Sequence, residues 1–178
     1  MSHDWSSYVA SALIFSGALL LVGAAMHDII ARTVPNWVSV LLVLIGLGSR
    51  LLDKHLISGP LAAGAVFITA AFCWRFGWLG GGDVKLMGAT ALVVPPYSIL
   101  SFLVAMSVSG SVLALIYMAL GALARAKARR DSFAGHARKA RPRGLLGRVA
   151  RVEIRRIRRG GPLPYACAIA AGFIILII

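Results

Sequence analysis

The chain has 178 residues, 59% of them hydrophobic and only 14% charged. A soluble domain of this size carries nearer a quarter of its residues as Asp, Glu, Lys or Arg, so the composition excludes an ordinary soluble enzyme. The net charge of +13 would suggest nucleic acid. However, fourteen of the nineteen Lys and Arg lie between Arg125 and Arg159 and the rest sit at the edges of apolar runs, which is the pattern of a membrane protein with a basic loop.

The uncharged runs are Tyr8–Met26, Thr33–Ser49, Leu56–Trp74, Leu86–Ala124 and Gly160–Ile178. A helix crossing a bilayer needs about 17–25 apolar residues, so each run qualifies. Span 1 is read as Val9–Ile29, retained rather than cleaved because no basic segment precedes it. A short polar link follows, in which Pro35 disfavours helix at Val34 and Asn36 is placed to cap the next helix. Span 2 runs from there to about Leu51. Arg50, Asp53, Lys54 and His55 are read as a polar loop, and Gly59-Pro60 restarts the chain into span 3, which ends near Phe76.

The stretch from Gly77 to Asp83, with glycines at 77, 80, 81 and 82, is the most irregular in the chain. After it, Pro95-Pro96 divides the long fourth run, because a proline pair removes two donors and clashes with the preceding turn. This leaves span 4 as Val84–Val94 and span 5 as Tyr97–Leu123. Eleven residues make about 16 Å of helix against an apolar core of about 30 Å, so span 4 is short for a crossing. The basic loop at about 125–160 includes Gly144–Arg159, whose apolar and arginine residues separate as on a helix lying on a membrane surface. Span 6 is Pro162–Ile178. The expected fold is therefore all-α: a single membrane domain over residues 1–178, a bundle of about six transmembrane helices.

The two cysteines, Cys73 and Cys167, lie inside apolar runs and form no C-x-x-C pair, so neither a zinc nor a redox motif is present. No metal or other cofactor is expected. Chemistry must come from the six acidic residues. Asp4 lies in the N-terminal tail, Asp131 and Glu153 in the basic loop, and Asp53 on the face opposite to the remaining two. Asp28 closes span 1 and Asp83 opens span 4. Two crossings lie between them, so parity brings both to one face. Ionisable groups beside apolar spans are costly and point to function. The bland alternative is a pair of interfacial aspartates that cap helices or pair with Arg32 and Lys85.

Asp83 stands in Gly80-Gly81-Gly82-Asp83-Val84-Lys85-Leu86, and Asp28 in Asp28-x-x-x-Arg32-x-Val34-Pro35-Asn36. With Pro164-Tyr165-Ala166-Cys167-Ala168-Ile169-Ala170 in the last span, these segments resemble the type IV prepilin peptidases, a group of the G-x-G-D membrane aspartyl proteases. The small size resembles the short branch that accompanies Flp-type, or tight-adherence, pili. The resemblance implies a multi-pass protein of the bacterial cytoplasmic membrane whose catalytic pair is Asp28 and Asp83. It would remove the short leader of prepilin or pilin-like precursors at the cytoplasmic face.

The chemistry of the residues agrees with that expectation. Peptide hydrolysis needs an activated water and a proton for the leaving amine, and two carboxylates sharing one proton supply both. Gly80, Gly81 and Gly82 would leave room for a substrate backbone and permit positive φ. Lys85 and Arg32 could hold substrate carbonyls, tune the pair or snorkel to headgroups. Pro35 and Asn36 would set the position of Asp28, and Tyr165 would line the site or sit at the interface. Longer members also methylate the new N-terminus and carry a cysteine-rich segment that this sequence lacks, so methyltransferase activity is not expected. The partners expected are the precursor and, at the basic loop, anionic lipid rather than nucleic acid. Two alternatives stay open at this level: a related G-x-G-D peptidase acting on another precursor, and a non-catalytic transporter or assembly component.

Overall fold

A computed structural model of the chain describes residues 2–52, 56–133 and 163–178. The described residues are helical, with no strand among them. In chain order they form α1 (Ser2–Ala31), α2 (Asn36–Leu52), α3 (Ser58–Arg75), α4 (Gly81–Val93), a 3₁₀ turn (Pro96–Ser98), α5 (Ile99–Phe133) and α6 (Tyr165–Ile177). The amphipathic segment expected at Gly144–Arg159 lies outside the described residues. The chain divides into two compact units, one of residues 1–110 with 164–178 and one of residues 111–163. Within the second unit the described part is the remainder of α5.

The helix ends follow from the breakers in the sequence. The C-terminus of α3 is closed at Gly77 (φ +76°). Trp78 N–H donates to Cys73 O at 3.0 Å and Gly77 N–H to Trp74 O at 2.9 Å. This is the Schellman arrangement, in which glycine adopts the left-handed conformation without steric cost. The C-terminus of α1 is closed by the simpler αL motif, on a residue with a Cβ. Arg32 has φ +57° and its N–H donates to Asp28 O at 2.8 Å. At the far end of α4, Val94 turns extended (ψ 133°) ahead of Pro95.

α4 is the centre of the first unit. Val84 and every residue from Leu86 to Val93 are buried. α2 and α3 pack along it, and α1 and α6 also touch it. Small residues allow the close approach. A methyl group on Gly46 of α2 would lie 2.8 Å from Leu92 Cγ and 2.9 Å from the Leu92 carbonyl carbon. One on Gly88 of α4 would lie 2.8 Å from the Phe67 ring of α3. On α6, Gly172 sits against the α5 backbone, its would-be Cβ 2.6 Å from Met106 Cα. Small residues at such crossings let helices gain van der Waals contact.

Outward faces are apolar: Phe15, Leu19, Leu44, Ile68, Phe72 and Leu100 are all exposed. Soluble monomers rarely expose large contiguous apolar patches. Among the described residues, two helices, Tyr8–Ala31 and Pro96–Ala126, are long and apolar enough to cross a membrane.

The polar loop expected around Arg50 requires correction. Arg50 is still within α2, and at 1% exposure it is the largest fully buried side chain. Its stem lies on Gly59, where a Cβ would come within 2.4 Å of Arg50 Cδ, and its Nη2 donates to Val93 O at 3.0 Å. The carbonyls in the last turn of a helix have no intrahelical partner, and the helix dipole is negative there. Arg50 meets both needs at the buried end of α4.

Candidate active site

The site is built on the facing ends of α1 and α4. Asp28 lies in the last turn of α1 and is 7% exposed. Asp83 is the third residue of α4, half-buried, with Gly80 as the N-cap. The Gly80 N–H donates to the Asp83 carboxylate, and the negative charge of Asp28 acts on Asp83. Two residues 55 positions apart in the chain are thus brought within electrostatic reach.

The reason Asp83 takes this pose is local. In a capping box the side chain at the third helical position folds back to the N-cap N–H. Asp83 does this to Gly80. The fold-back brings Asp83 Oδ2 to within 2.8 Å of where a Gly80 Cβ would stand. A side chain at Gly80 would have to push the carboxylate aside. The freedom for positive φ that Gly80, Gly81 and Gly82 permit is not used here: Gly80 has φ −77° and ψ 144°, and the glycine with positive φ among the described residues is Gly77. Gly81 and Gly82 belong to the first turn of α4 rather than to a loop. Hydrogens of Gly82 face Val34, with a would-be Cβ 3.6 Å from Val34 Cβ, so the link after α1 is laid against the turn that carries Asp83. Trp74 Nε1 lies 3.4 Å from a would-be Cβ on Gly81.

The other expected site residues divide into two groups. Pro35 and Asn36 open α2, but the first turn closes on Pro35, whose carbonyl accepts Val38 N–H at 3.1 Å. Asn36 is therefore the first helical residue rather than the cap. Its Oδ1 accepts from Lys85 Nζ at 3.1 Å. Residues two apart on a helix do not share a face, and Lys85 leaves α4 on the side away from Asp83. Arg32 stays with Asp28, in the turn that its own N–H closes on Asp28 O. Tyr165 opens α6 and is 38% exposed. Cys167 Sγ lies 3.8 Å from Ala25 O, which sets the start of α6 beside the end of α1 that bears Asp28. Both cysteines are only partly buried.

Sequence reading missed the steric role of Gly80, the contribution of Val34 and Trp74 to its neighbours, and the burial of Arg50. The capping relation between Gly80 and Asp83 was available from their spacing. The others join residues that no local pattern links.

The model of the type IV leader peptidase family matches residues 13–115, more than half of the chain and a stretch that holds both Asp28 and Asp83. No curated protein and no solved structure matches it. The chain therefore belongs to the type IV leader peptidase family, whose members are hydrolases that cut peptide bonds.

Proposed function

We propose that the protein is a membrane aspartyl endopeptidase that removes the short leader of prepilin or pilin-like precursors, with Asp28 and Asp83 as its catalytic pair. The observation that carries the reading is the placement of the two carboxyl groups, Asp28 buried in the last turn of α1 and Asp83 half-buried in the first turn of α4, inside the segment that matches the family. Like charges at close range do not both ionise, so the pair holds one proton between them. The ionised carboxylate takes a proton from a water molecule as its oxygen bonds to the scissile carbonyl carbon. The protonated partner stabilises the oxygen that becomes negative, and a proton then passes to the leaving amine as the C–N bond breaks. The water is consumed: its oxygen stays in the new carboxyl group and one of its protons leaves with the amine, while the pair regains its single shared proton.

The apolar outer faces and the two long apolar helices support a place in the bilayer. In the six-span reading, the basic segment at 125–160 and both aspartates lie on the cytoplasmic side, where that segment would meet anionic lipid. Arg32, Gly81 and Tyr165 border the same end of the unit and would contact the substrate there.

The test is cleavage of a purified precursor by protein reconstituted in lipid. Asp28→Asn and Asp83→Asn are each expected to lower kcat by about 10²–10⁴-fold, the contribution of one general acid or base. Wild-type-like processing by either variant would remove the pair from the mechanism and favour the transporter or assembly reading. Cleavage of other signal-bearing precursors, but not of prepilins, would keep the pair and change the substrate.

A further inference from the structure

A groove of about 560 Å³ runs along α4 between α2 and α3. Its floor is Gly88, Ala89 and Leu92 of α4. Val43 of α2 forms one wall, and Gly64 and Phe67 of α3 form the other. Lys85 and Asn36 stand at one end, joined by their 3.1 Å hydrogen bond, and no acidic residue lines the cavity. Around the axis of α4, Lys85, Gly88, Ala89 and Leu92 fall about 140–240° from Asp83 at 100° per residue. The groove is therefore on the far side of the helix from the catalytic pair. A would-be Cβ on Gly64 meets nothing within 4 Å, so no side chain among the described residues fills the space beside it.

We propose that this groove is a binding site for a phospholipid with an anionic headgroup. Its acyl chain lies along Gly64, Ala89 and Leu92, and its phosphate pairs with Lys85 at the Asn36 end. The assignment rests on the membrane reading of the proposed function. Charge selects the occupant. The only ionised group of the lining is a cation placed where the apolar groove ends, which matches the order of charge and hydrocarbon in an anionic lipid. Basic pockets between membrane helices take such headgroups. Two of the three ammonium protons of Lys85 remain for the phosphate after the bond to Asn36. A precursor helix is the poorer fit, because from this side it would meet the face of α4 that points away from Asp83. A lipid bound here would brace α2 and α3, the two helices that hold α4, without entering the catalytic site.

The test uses full-length protein extracted in mild detergent. Native mass spectrometry counts retained lipid in the presence of phosphatidylglycerol or of phosphatidylcholine. Wild type is expected to retain one phosphatidylglycerol in preference to phosphatidylcholine. Lys85→Gln should lose about five-fold in that preference, the effect of one lysine near an anionic surface. Gly64→Phe and Val43→Trp, which fill the groove from opposite walls, should each lose retention of both lipids. Glycerol 1-phosphate without acyl chains should not compete; if it did, the site would be one for a free phosphate. Equal retention by wild type, Lys85→Gln and both filled variants would overturn the proposal. So would loss of precursor cleavage through KM in both filled variants with lipid retention unchanged, since the groove would then belong to the substrate. Membrane fractionation of the wild type reports on the membrane reading by itself: a protein that stays out of the membrane fails that reading, whereas a membrane-embedded protein without lipid preference fails only the groove.

Discussion

At Gly80 the demand on the residue is steric. A Cβ there would stand 2.8 Å from Asp83 Oδ2, while the N–H of the same residue holds that carboxylate. Alanine can keep the hydrogen bond only by moving the carboxylate, which is the free end of a short side chain and yields easily. Gly80→Ala is therefore expected to cost less than about 1 kcal/mol of stability, near the range for a changed N-cap. It should lower kcat on the order of 10–100-fold, the effect of misplacing a reacting group by about an ångström. Gly82→Ala, whose Cβ would meet Val34 at an ordinary 3.6 Å, should lose much less. Thermal unfolding together with precursor-cleavage kinetics separates the two effects. Equal kcat for Gly80→Ala and wild type would mean that the folded-back pose of Asp83 is not the reactive one.

At the scale of the element, α4 has to carry Asp83 at one end and finish inside the protein at the other. Its 13 residues span about 20 Å, short of an apolar core of about 30 Å. A helix end away from water needs partners for its carbonyls, since irregular backbone at membrane depth is tolerated only where protein shelters it. Arg50 supplies one through Val93 O. Arg50→Met leaves that carbonyl without its donor and should destabilise the protein by about 1–3 kcal/mol. Arg50→Lys, which can still reach as a donor, should cost less. Gly59→Ala drives a methyl group into the Arg50 stem at 2.4 Å and should cost about 1–3 kcal/mol by overpacking. These are read as shifts in the unfolding midpoint in detergent. A Gly59→Ala protein as stable as wild type would show that the Arg50 stem is free to move aside.

At the scale of the whole molecule, the question is which side of the membrane each end faces. The net charge of +13 is concentrated in one segment, and positive residues in short loops are retained in the cytoplasm. With six spans the C-terminus is then outside. A reporter enzyme that is active only after export should be active when fused after Ile178 and inactive when inserted at Gly135. If α4 did not complete a crossing, Asp28 and Asp83 would lie opposite the basic segment. A reporter placed between Thr33 and Pro35 would reveal this by being active.

The sequence by itself determined the helices and some of their ends, because those signals are local. Apolar runs marked where the helices lie, Gly77 supplied the one glycine conformation that α3 needed to stop, and Pro95-Pro96 separated α4 from α5, whereas α4 begins three residues before Val84 and α5 continues past Leu123 to Phe133. It also determined the family resemblance, carried by residues that stand together in short motifs. Tertiary structure decided what joins residues distant in the chain. Arg50 reads as a loop cation until its partner Val93, 43 residues away, is brought beside it. Asn36 reads as a helix cap until Lys85, 49 residues away, takes its side-chain oxygen. Gly82 reads as freedom for the backbone until Val34, 48 residues away, is laid against it. Hydrophobic period and chain breakers act between neighbours, but a buried charge or an unfilled groove is defined by helices that meet only when the chain has folded.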